Sequence, residues 1–430
     1  MLIKNIRIID PLTDTDRIGD IRIAQDKITE VIYHQPEMGD AGCALAAGRD
    51  DSVIDGSGLC AAPGLMDTHV HFRDPGQTYK EDIFTGAAAA ARGGFTRVVC
   101  MANTAPSVDT PEILRANLEK GKKTGITVLQ AGALTRGLKG RELTDMEALA
   151  EAGACAFTDD GIPLKNAPLL LEGMKRAAAL SRPVSLHEED PAFVPGPGVN
   201  AGEVSRRLGY PGAFSLAEEI MVASDCMLAL ESGCRVIIQH VSSARSVELI
   251  RHARRMGADI HGEATPHHFS LTEEAVLRYG TNARMNPPLR TEEDRQAVAE
   301  GISDGTLDMI VTDHAPHSAE EKARPLPEAP SGIIGLETSL ALGIRFLVET
   351  GKLSLKDLIR RMSTQPALVY GLDPAAIQPG KSADLVIFDE KGIWTADHFA
   401  SKASNSPFLG WKLPGRICYT ICCGRVVYGG

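Results

Sequence analysis

The chain has 430 residues, 43% of them hydrophobic and 23% charged, with a formal net charge of −11. That length holds one large domain and a smaller one; the composition excludes a disordered chain, and the negative balance excludes a nucleic-acid-binding surface, so an anionic ligand has to be captured by local cations. No apolar run nears the roughly 20 residues that span a bilayer, and Met1-Leu2-Ile3-Lys4-Asn5 lacks the apolar core of a signal peptide, so the sequence reads as cytoplasmic, with no membrane contact.

Residues 2–9 and 20–32 are rich in β-branched side chains, partly alternate and are separated by turn formers, which predicts two antiparallel strands. Residues 35–52, with Pro36, Gly39, Gly42 and Gly48, predict a variable loop. The pattern then changes to strand followed by helix. Eight short apolar runs succeed one another: Gly64–His71, Thr96–Asn103, Ile126–Ala133, Ala154–Asp160, Pro183–His187, Arg235–Ser242, Asp259–Thr265 and Asp308–Asp313. Helical segments follow them, among them Glu81–Arg92, Ala167–Leu180, Leu216–Leu230, Ser246–Met256 and Glu292–Ile302. This rhythm predicts an α/β fold, a (β/α)8 TIM barrel; the competing reading is a doubly wound open sheet. The β signal returns in Ala383–Phe388 and Tyr419–Tyr428, which predicts a small β-sandwich domain formed from both chain termini. The expected boundaries are 1–60 and 372–430 for that domain and 61–371 for the barrel.

Nine cysteines are scattered without a Cys-x-x-Cys pair, which predicts buried free thiols in a reducing compartment. Adjacent Cys422 and Cys423 are expected on alternate sides of one strand.

The chemistry is carried by polar residues at the ends of apolar strands. His69 and His71 are two apart, so a strand presents both imidazoles to one point in space. Other runs end in Asn103, Asp159-Asp160, His187, His240 and Asp313-His314. Such side chains are costly there unless something uses them, and in a closed barrel those ends converge on one site. Four histidines and two aspartates make a nitrogen and oxygen set, with no thiolate, suited to Zn2+ or another borderline divalent ion. Six ligands exceed the usual complement of one catalytic ion, which implies two metals sharing a bridging carboxylate. Their chemistry is to lower the pKa of water towards about 7, with Asp313 placed to take a proton. Strand alternation leaves open which of Asp159 and Asp160 faces the site. His267 and His268 are expected in structural or supporting positions, and His34, His252 and His398 at the surface.

These residues, in this order, resemble the amidohydrolase superfamily, and Asp67-Thr68-His69-Val70-His71-Phe72-Arg73-Asp74-Pro75-Gly76 resembles the bacterial class I dihydroorotases in particular. Met101-Ala102-Asn103-Thr104, Phe157-Thr158-Asp159-Asp160-Gly161, Gln239-His240-Val241-Ser242, Met285-Asn286-Pro287-Pro288-Leu289-Arg290 and Thr312-Asp313-His314-Ala315-Pro316-His317 extend the likeness through most of the chain. The resemblance implies metal ligands at His69, His71, Asp160, His187, His240 and Asp313, Asp160 being selected by its spacing to His187. It implies substrate contacts at His71, Arg73, Asn103, Asn286, His317, Ser331 and Gly332, Asp313 as the catalytic residue, and the reversible cyclisation of N-carbamoyl-L-aspartate to L-dihydroorotate in pyrimidine biosynthesis. A homodimer is a further family-level expectation, as is association with aspartate transcarbamoylase.

Physical chemistry agrees with that substrate. Arg73 lies two residues beyond His71, so a continuing strand would point it to the same side, and a guanidinium binds a carboxylate in a bidentate fork. Two features depart from relatives: the fourth run offers Asp160 and no lysine before Lys165, unlike the carbamylated-lysine hydantoinases and allantoinases, and Ser331 stands where many class I members carry an aromatic residue. The alternatives are a hydantoinase- or allantoinase-type cyclic amidohydrolase and a non-catalytic subunit of an aspartate transcarbamoylase complex. Residues 317–335 read either as a lid or as a surface loop.

Overall fold

Two runs of parallel strand form the centre of the molecule, in a computed structural model that describes residues 1–34, 45–48 and 52–429. Leu65–Val70, Phe95–Cys100 and Thr127–Gln130 pair in that order; Val184–Leu186, Val236–Ile238, Ile260–Ala264 and Met309–Ile310 form the second run. Single parallel bridges link the two runs, Gly132 to Phe157 and Phe157 to Val184 on one side and Val70 to His314 on the other. The fold is α/β, as expected.

The strands are shorter than the apolar runs that predict them, among them Val236–Ile238 within the expected Arg235–Ser242, and in two of the runs side chains explain the shortening. Across Ala154–Asp160 only Phe157 is bridged. The Asp159 carboxylate accepts from the main-chain N–H of Leu134 (2.8 Å) and Thr135 (2.9 Å), taking the place of a ladder partner. In the last run the strand covers Met309–Ile310, because Asp67 accepts from Thr312 N (3.1 Å) and Asp313 turns out of the extended region at φ 48°.

Alternation along the strands sorts apolar residues into two clusters. Val98, Val236 and Ile238 pack with helix residues such as Ala87, Leu114, Val222 and Ile302, whereas Met66, Val99, Ile237, Met309 and Tyr370 join a second cluster. The helices lie where expected and are capped by their own sequence. Asp82 accepts from Phe84 N and Thr85 N at the start of Ile83–Arg92, Asn166 caps Ala167–Ala179, Ser243 caps Ala244–Arg255, and Thr291 with Asp294 forms a capping box before Glu292–Asp304.

Both termini enter one eight-stranded sheet, in the order Arg425–Gly429, Arg416–Cys422, Leu385–Asp389, Cys60–Pro63, Leu2–Asp10, Thr15–Ala24 and Lys27–Tyr33, with Val53–Asp55 beside Leu2–Asp10. Ile28 N donates to Lys381 O (3.0 Å) and Ala383 N to Asp26 O (2.8 Å), which brings the last strand of that order back to the segment before Leu385. Ile3, Ile8, Ile21, Ile28, Leu385 and Ile421 give the sheet its own apolar cluster. Two expected strands are instead hairpins. The 20–32 run turns at Gln25 (φ 55°), and the 419–428 run turns at Cys423 (φ 47°) and Gly424 (φ 74°). Cys423 is therefore exposed in the turn while Cys422 is buried, a different arrangement from alternation along one strand. The eight described cysteines are all free. The predicted 35–52 loop lies largely outside the described residues. Among the described residues no helix is long and apolar enough to cross a membrane.

Candidate active site

His69 is the next-to-last residue of its strand and His71 follows the strand end, and the two imidazoles meet the same pair of carboxylates. His69 Nε2 lies 3.4 Å from Asp160 Oδ1 and 3.6 Å from Asp313 Oδ1; His71 Nε2 lies 3.4 Å from Asp160 Oδ2 and 3.0 Å from Asp313 Oδ1. His187 Nδ1 is 3.8 Å from Asp160 Oδ1 and 2.9 Å from His240 Nε2. All six side chains are buried. The choice that alternation left open is resolved by hydrogen bonds: Asp159 is occupied with Leu134 and Thr135, and Asp160 faces the histidines.

Within this site there are two sets of potential ligand atoms, each set within 4.8 Å of one another, His69 with His71 and Asp160, and Asp160 with His187 and His240. Asp160 belongs to both. His69 Nε2 and Asp160 Oδ1 are buried and lack a hydrogen-bond partner, an arrangement that costs free energy unless a cation lies between them. The residues thus fit a metal centre of nitrogen and oxygen ligands. Burial opposes ionisation of Asp160, but His69, His71 and His187 outweigh it and hold the carboxyl well below the usual carboxylate range. Burial pushes His240 well below the ordinary imidazole value, reinforced by His187 and His69. A neutral ring is the form that ligates.

His240 (φ 31°), Asp313 (φ 48°) and Arg73 (φ 57°) all occupy the left-handed region that non-glycine residues avoid. Backbone held there is strained and clusters at functional sites. For Arg73 this corrects the sequence argument: the strand ends at Val70, and a left-handed turn, not continued alternation, brings the guanidinium to the site.

A cavity of about 160 Å³ opens onto this cluster, lined by His71, Arg73, Asn103, Asp160, Gly161, His187, His240, Asn286, Asp313, Ala315, Ser331 and Gly332. Asn103 is a clamp: its Oδ1 meets His71 Nδ1 at 2.9 Å and its Nδ2 donates to Asp160 Oδ2 at 2.8 Å. Ser331 Oγ donates to Asn286 Oδ1 (3.0 Å). Gly332, at φ 123°, could not carry a side chain, because a Cβ would come within 2.6 Å of Ala315 Cβ and 3.2 Å of His317 Nε2. His69 and His317 stand behind the lining, His317 with Nε2 2.8 Å from Ser331 O and 3.3 Å from Arg73 Nη2. Residues Ser331 and Gly332 are tied down by Lys322, whose Nζ donates to Pro330 O and Gly332 O, both at 3.0 Å.

His268 is structural as expected, bonded to Thr265 Oγ1 (2.8 Å) and Pro287 O (3.0 Å), and His267 is buried beside it. His252 and His398 are exposed, while His34 is half-buried against Asp20. Sequence reasoning missed Glu263. Its Oε2 lies 2.9 Å from His69 Nδ1, and its Oε1 accepts from Thr68 Oγ1 at 3.1 Å. The available signal was a carboxylate in the middle of the seventh apolar run. Lys80, buried beside His317, was also missed.

Histidines and Asp160, gathered beyond the C-terminal ends of parallel strands so that they could hold a metal, make a site of the kind metal-dependent hydrolases use. A family model described as Dihydro-orotase-like matches residues 58–246. The dihydroorotase of Clostridioides difficile (strain 630) is 53% identical over 428 residues, covering 100% of this chain and 99% of the relative. That of Lactococcus lactis subsp. lactis (strain IL1403) is 46% identical over 429 residues, with the same coverage. Among solved structures, L-hydantoinase (dihydropyrimidinase) from Arthrobacter aurescens superposes with a TM-score of 0.85 at 25% identity, covering 100% of this chain and 96% of that one. The chain belongs to the dihydroorotase family.

Proposed function

We propose that this protein is a dihydroorotase, which interconverts N-carbamoyl-L-aspartate and L-dihydroorotate at a zinc centre. The reading is carried by one observation: a single cavity is lined both by His71, Asp160, His187 and His240 of the grouped side chains and by the Arg73 guanidinium. A dihydroorotate ring bears a carboxylate beside a cyclic imide, and hydantoin-type rings bear none, so Arg73 has an anionic partner only in the first case. We also read the two parallel runs and their bridging residues as one closed (β/α)8 barrel spanning 61–371, with 1–60 and 372–430 forming a small β-sandwich domain.

His69, His71, Asp160, His187, His240 and Asp313 would hold the metal, with Asp160 belonging to both groups of ligand atoms, which is why we read two ions rather than one. Bound there, zinc supplies polarisation of the ring carbonyl and acidification of water. Everything else falls to the chain. Arg73 binds the substrate carboxylate in a fork, flanked by Asn286, His317 and the main chain at Ser331-Gly332. Contact through main chain at that point makes the small Ser331 sufficient. In the hydrolytic direction Asp313 takes the proton of the attacking water and delivers it to the leaving ring nitrogen; in the cyclising direction it accepts the ureido proton as that nitrogen attacks the carboxyl carbon and hands it to the oxygen that departs as water. Asn103 holds His71 and Asp160 in place through both directions.

The test is an assay of the purified chain on dihydroorotate, dihydrouracil, hydantoin and allantoin, with zinc measured on the same sample. Turnover of dihydroorotate alone, with one or two zinc per chain, is expected, and the value settles the count. Turnover of an uncharged ring in preference would overturn the role given to Arg73. Zinc without turnover of any ring would favour a non-catalytic subunit.

A further inference from the structure

At the cavity wall and just behind it, Arg73, Lys80 and His317, from two loops, form one connected unit, with Lys80 and His317 buried. Lys80 Nζ lies 3.3 Å from His317 Nδ1 and 3.0 Å from Glu321 Oε1. His317 Nε2 lies 2.8 Å from Ser331 O and 3.3 Å from Arg73 Nη2. Arg73 Nε donates to Pro316 O at 3.3 Å. Lys80 and His317 are 6% and 5% exposed, so water does not substitute for these partners.

The donors and acceptors admit one consistent assignment. A lysine ammonium has donors and no acceptor, so His317 Nδ1 must be the lone-pair nitrogen and the ring proton sits on Nε2. That proton is donated to Ser331 O, the nearer of the two Nε2 neighbours. Arg73 Nη2, also a donor, then cannot bond to His317 Nε2, whose one proton is spent on Ser331 O. The guanidinium N–H left open in this way is a donor for an oxyanion. The opposite tautomer would need a close acceptor at Nδ1, and Glu321 Oε2 is 3.7 Å away. Burial, together with Arg73, Lys80 and Lys322, pushes His317 down to about 2, so the ring acts as a neutral donor.

We infer that Lys80 is a positioning residue: its ammonium fixes His317 in the Nε2–H form, which leaves the Arg73 guanidinium available for the substrate carboxylate and anchors Ser331 at the cavity wall. The inference rests on the dihydroorotase reading. Without Lys80 the ring can carry its proton on Nδ1, where it meets Glu321, and the Nε2 lone pair then accepts from Arg73 Nη2. The guanidinium would be engaged within the protein and Ser331 O released. Glu321 holds Lys80 in place, itself accepting from Tyr79 Oη at 3.0 Å.

The experiment compares the zinc-loaded full chain with its Lys80→Met, Lys80→Arg and Arg73→Met variants in steady-state dihydroorotate hydrolysis, and reads the His317 tautomer from 15N NMR of histidine-labelled protein. Lys80→Met is expected to raise KM about 10-fold, the loss of one charge-assisted hydrogen bond. The same variant should keep kcat within about twofold, because the change acts on binding and not on the reacting atoms. Lys80→Arg, which retains a cationic donor, should restore most of the affinity. Wild-type His317 should show the Nε2–H pattern and Lys80→Met should lose it. A wild-type ring protonated on Nδ1 overturns the inference whatever the variants do. So does an unchanged KM in Lys80→Met, or a joint collapse of kcat and melting temperature in both lysine variants. Arg73→Met separates the two levels: if its KM is also unchanged, the carboxylate reading itself falls, and if its KM rises while that of Lys80→Met does not, only the role of Lys80 falls.

Discussion

Replacing Glu263 by glutamine removes a charge from the site without removing an atom from the first ring of ligands. Glu263 and His69 are both 0% exposed, and Glu263 Oε2 lies 2.9 Å from His69 Nδ1. The carboxylate orients the imidazole so that Nε2 faces Asp160, and it raises the basicity of that nitrogen. The isosteric amide still accepts a hydrogen bond, but a neutral pair is roughly half as strong as a charge-assisted one. Losing such a partner lowers metal affinity by about 10–100-fold, or about 1.4–2.7 kcal/mol. The assay is equilibrium competition for zinc between each protein and a chelator of known affinity, with the melting temperature of the metal-stripped proteins as a control for folding. Zinc affinity within about twofold of wild type, in a variant that melts normally, would refute the claim that Glu263 supports His69 as a ligand.

Two other outcomes are expected. Asp313→Asn should lower dihydroorotate turnover by at least about 100-fold, the usual contribution of a general acid–base, with the melting temperature retained; comparable turnover in the variant would remove Asp313 from proton transfer. Glu337 predicts a pH effect on stability. Burial, opposed by the N–H groups of Ala400 and Ser401 and by Arg92, pushes its carboxyl from 4.5 up to about 7. The folded chain therefore keeps a proton that the unfolded chain releases, so this contribution is fully present below pH 4.5 and is lost as the pH rises through 7. The stability of wild type minus that of Glu337→Gln, from urea unfolding, should fall across that window by up to about 3 kcal/mol. A difference that does not vary with pH would contradict it.

Legibility differed by type of feature. The helices over Ala167–Ala179 and Glu292–Asp304 were readable because their caps and apolar faces lie within a few residues of each other in sequence. The central strands were readable as apolar runs, but their lengths were not, since Asp159 and Asp67 shorten the ladders by accepting from Leu134 and Thr312, residues that the sequence alone does not bring near. The hairpin turn at Gln25 was missed because the residue is neither glycine nor asparagine, the usual signals for a positive φ, whereas the turn at Cys423-Gly424 did carry a glycine that the reading of 419–428 as one strand passed over.

By itself the sequence determined the alternation of strand and helix, the joining of both termini in β structure, and the set of histidines and aspartates at the strand ends. Those depend on local periodicity and residue chemistry, which are written along the chain. Strand alternation left Asp159 and Asp160 open and the family resemblance selected Asp160; only the tertiary structure decided that Arg73 reaches the cavity through a left-handed turn and that Glu263 and Lys80 stand behind His69 and His317. The last two are contacts between residues distant in sequence, 194 positions for Glu263 and His69 and 237 for Lys80 and His317, and side-chain partners across such gaps are chosen by packing rather than by pattern.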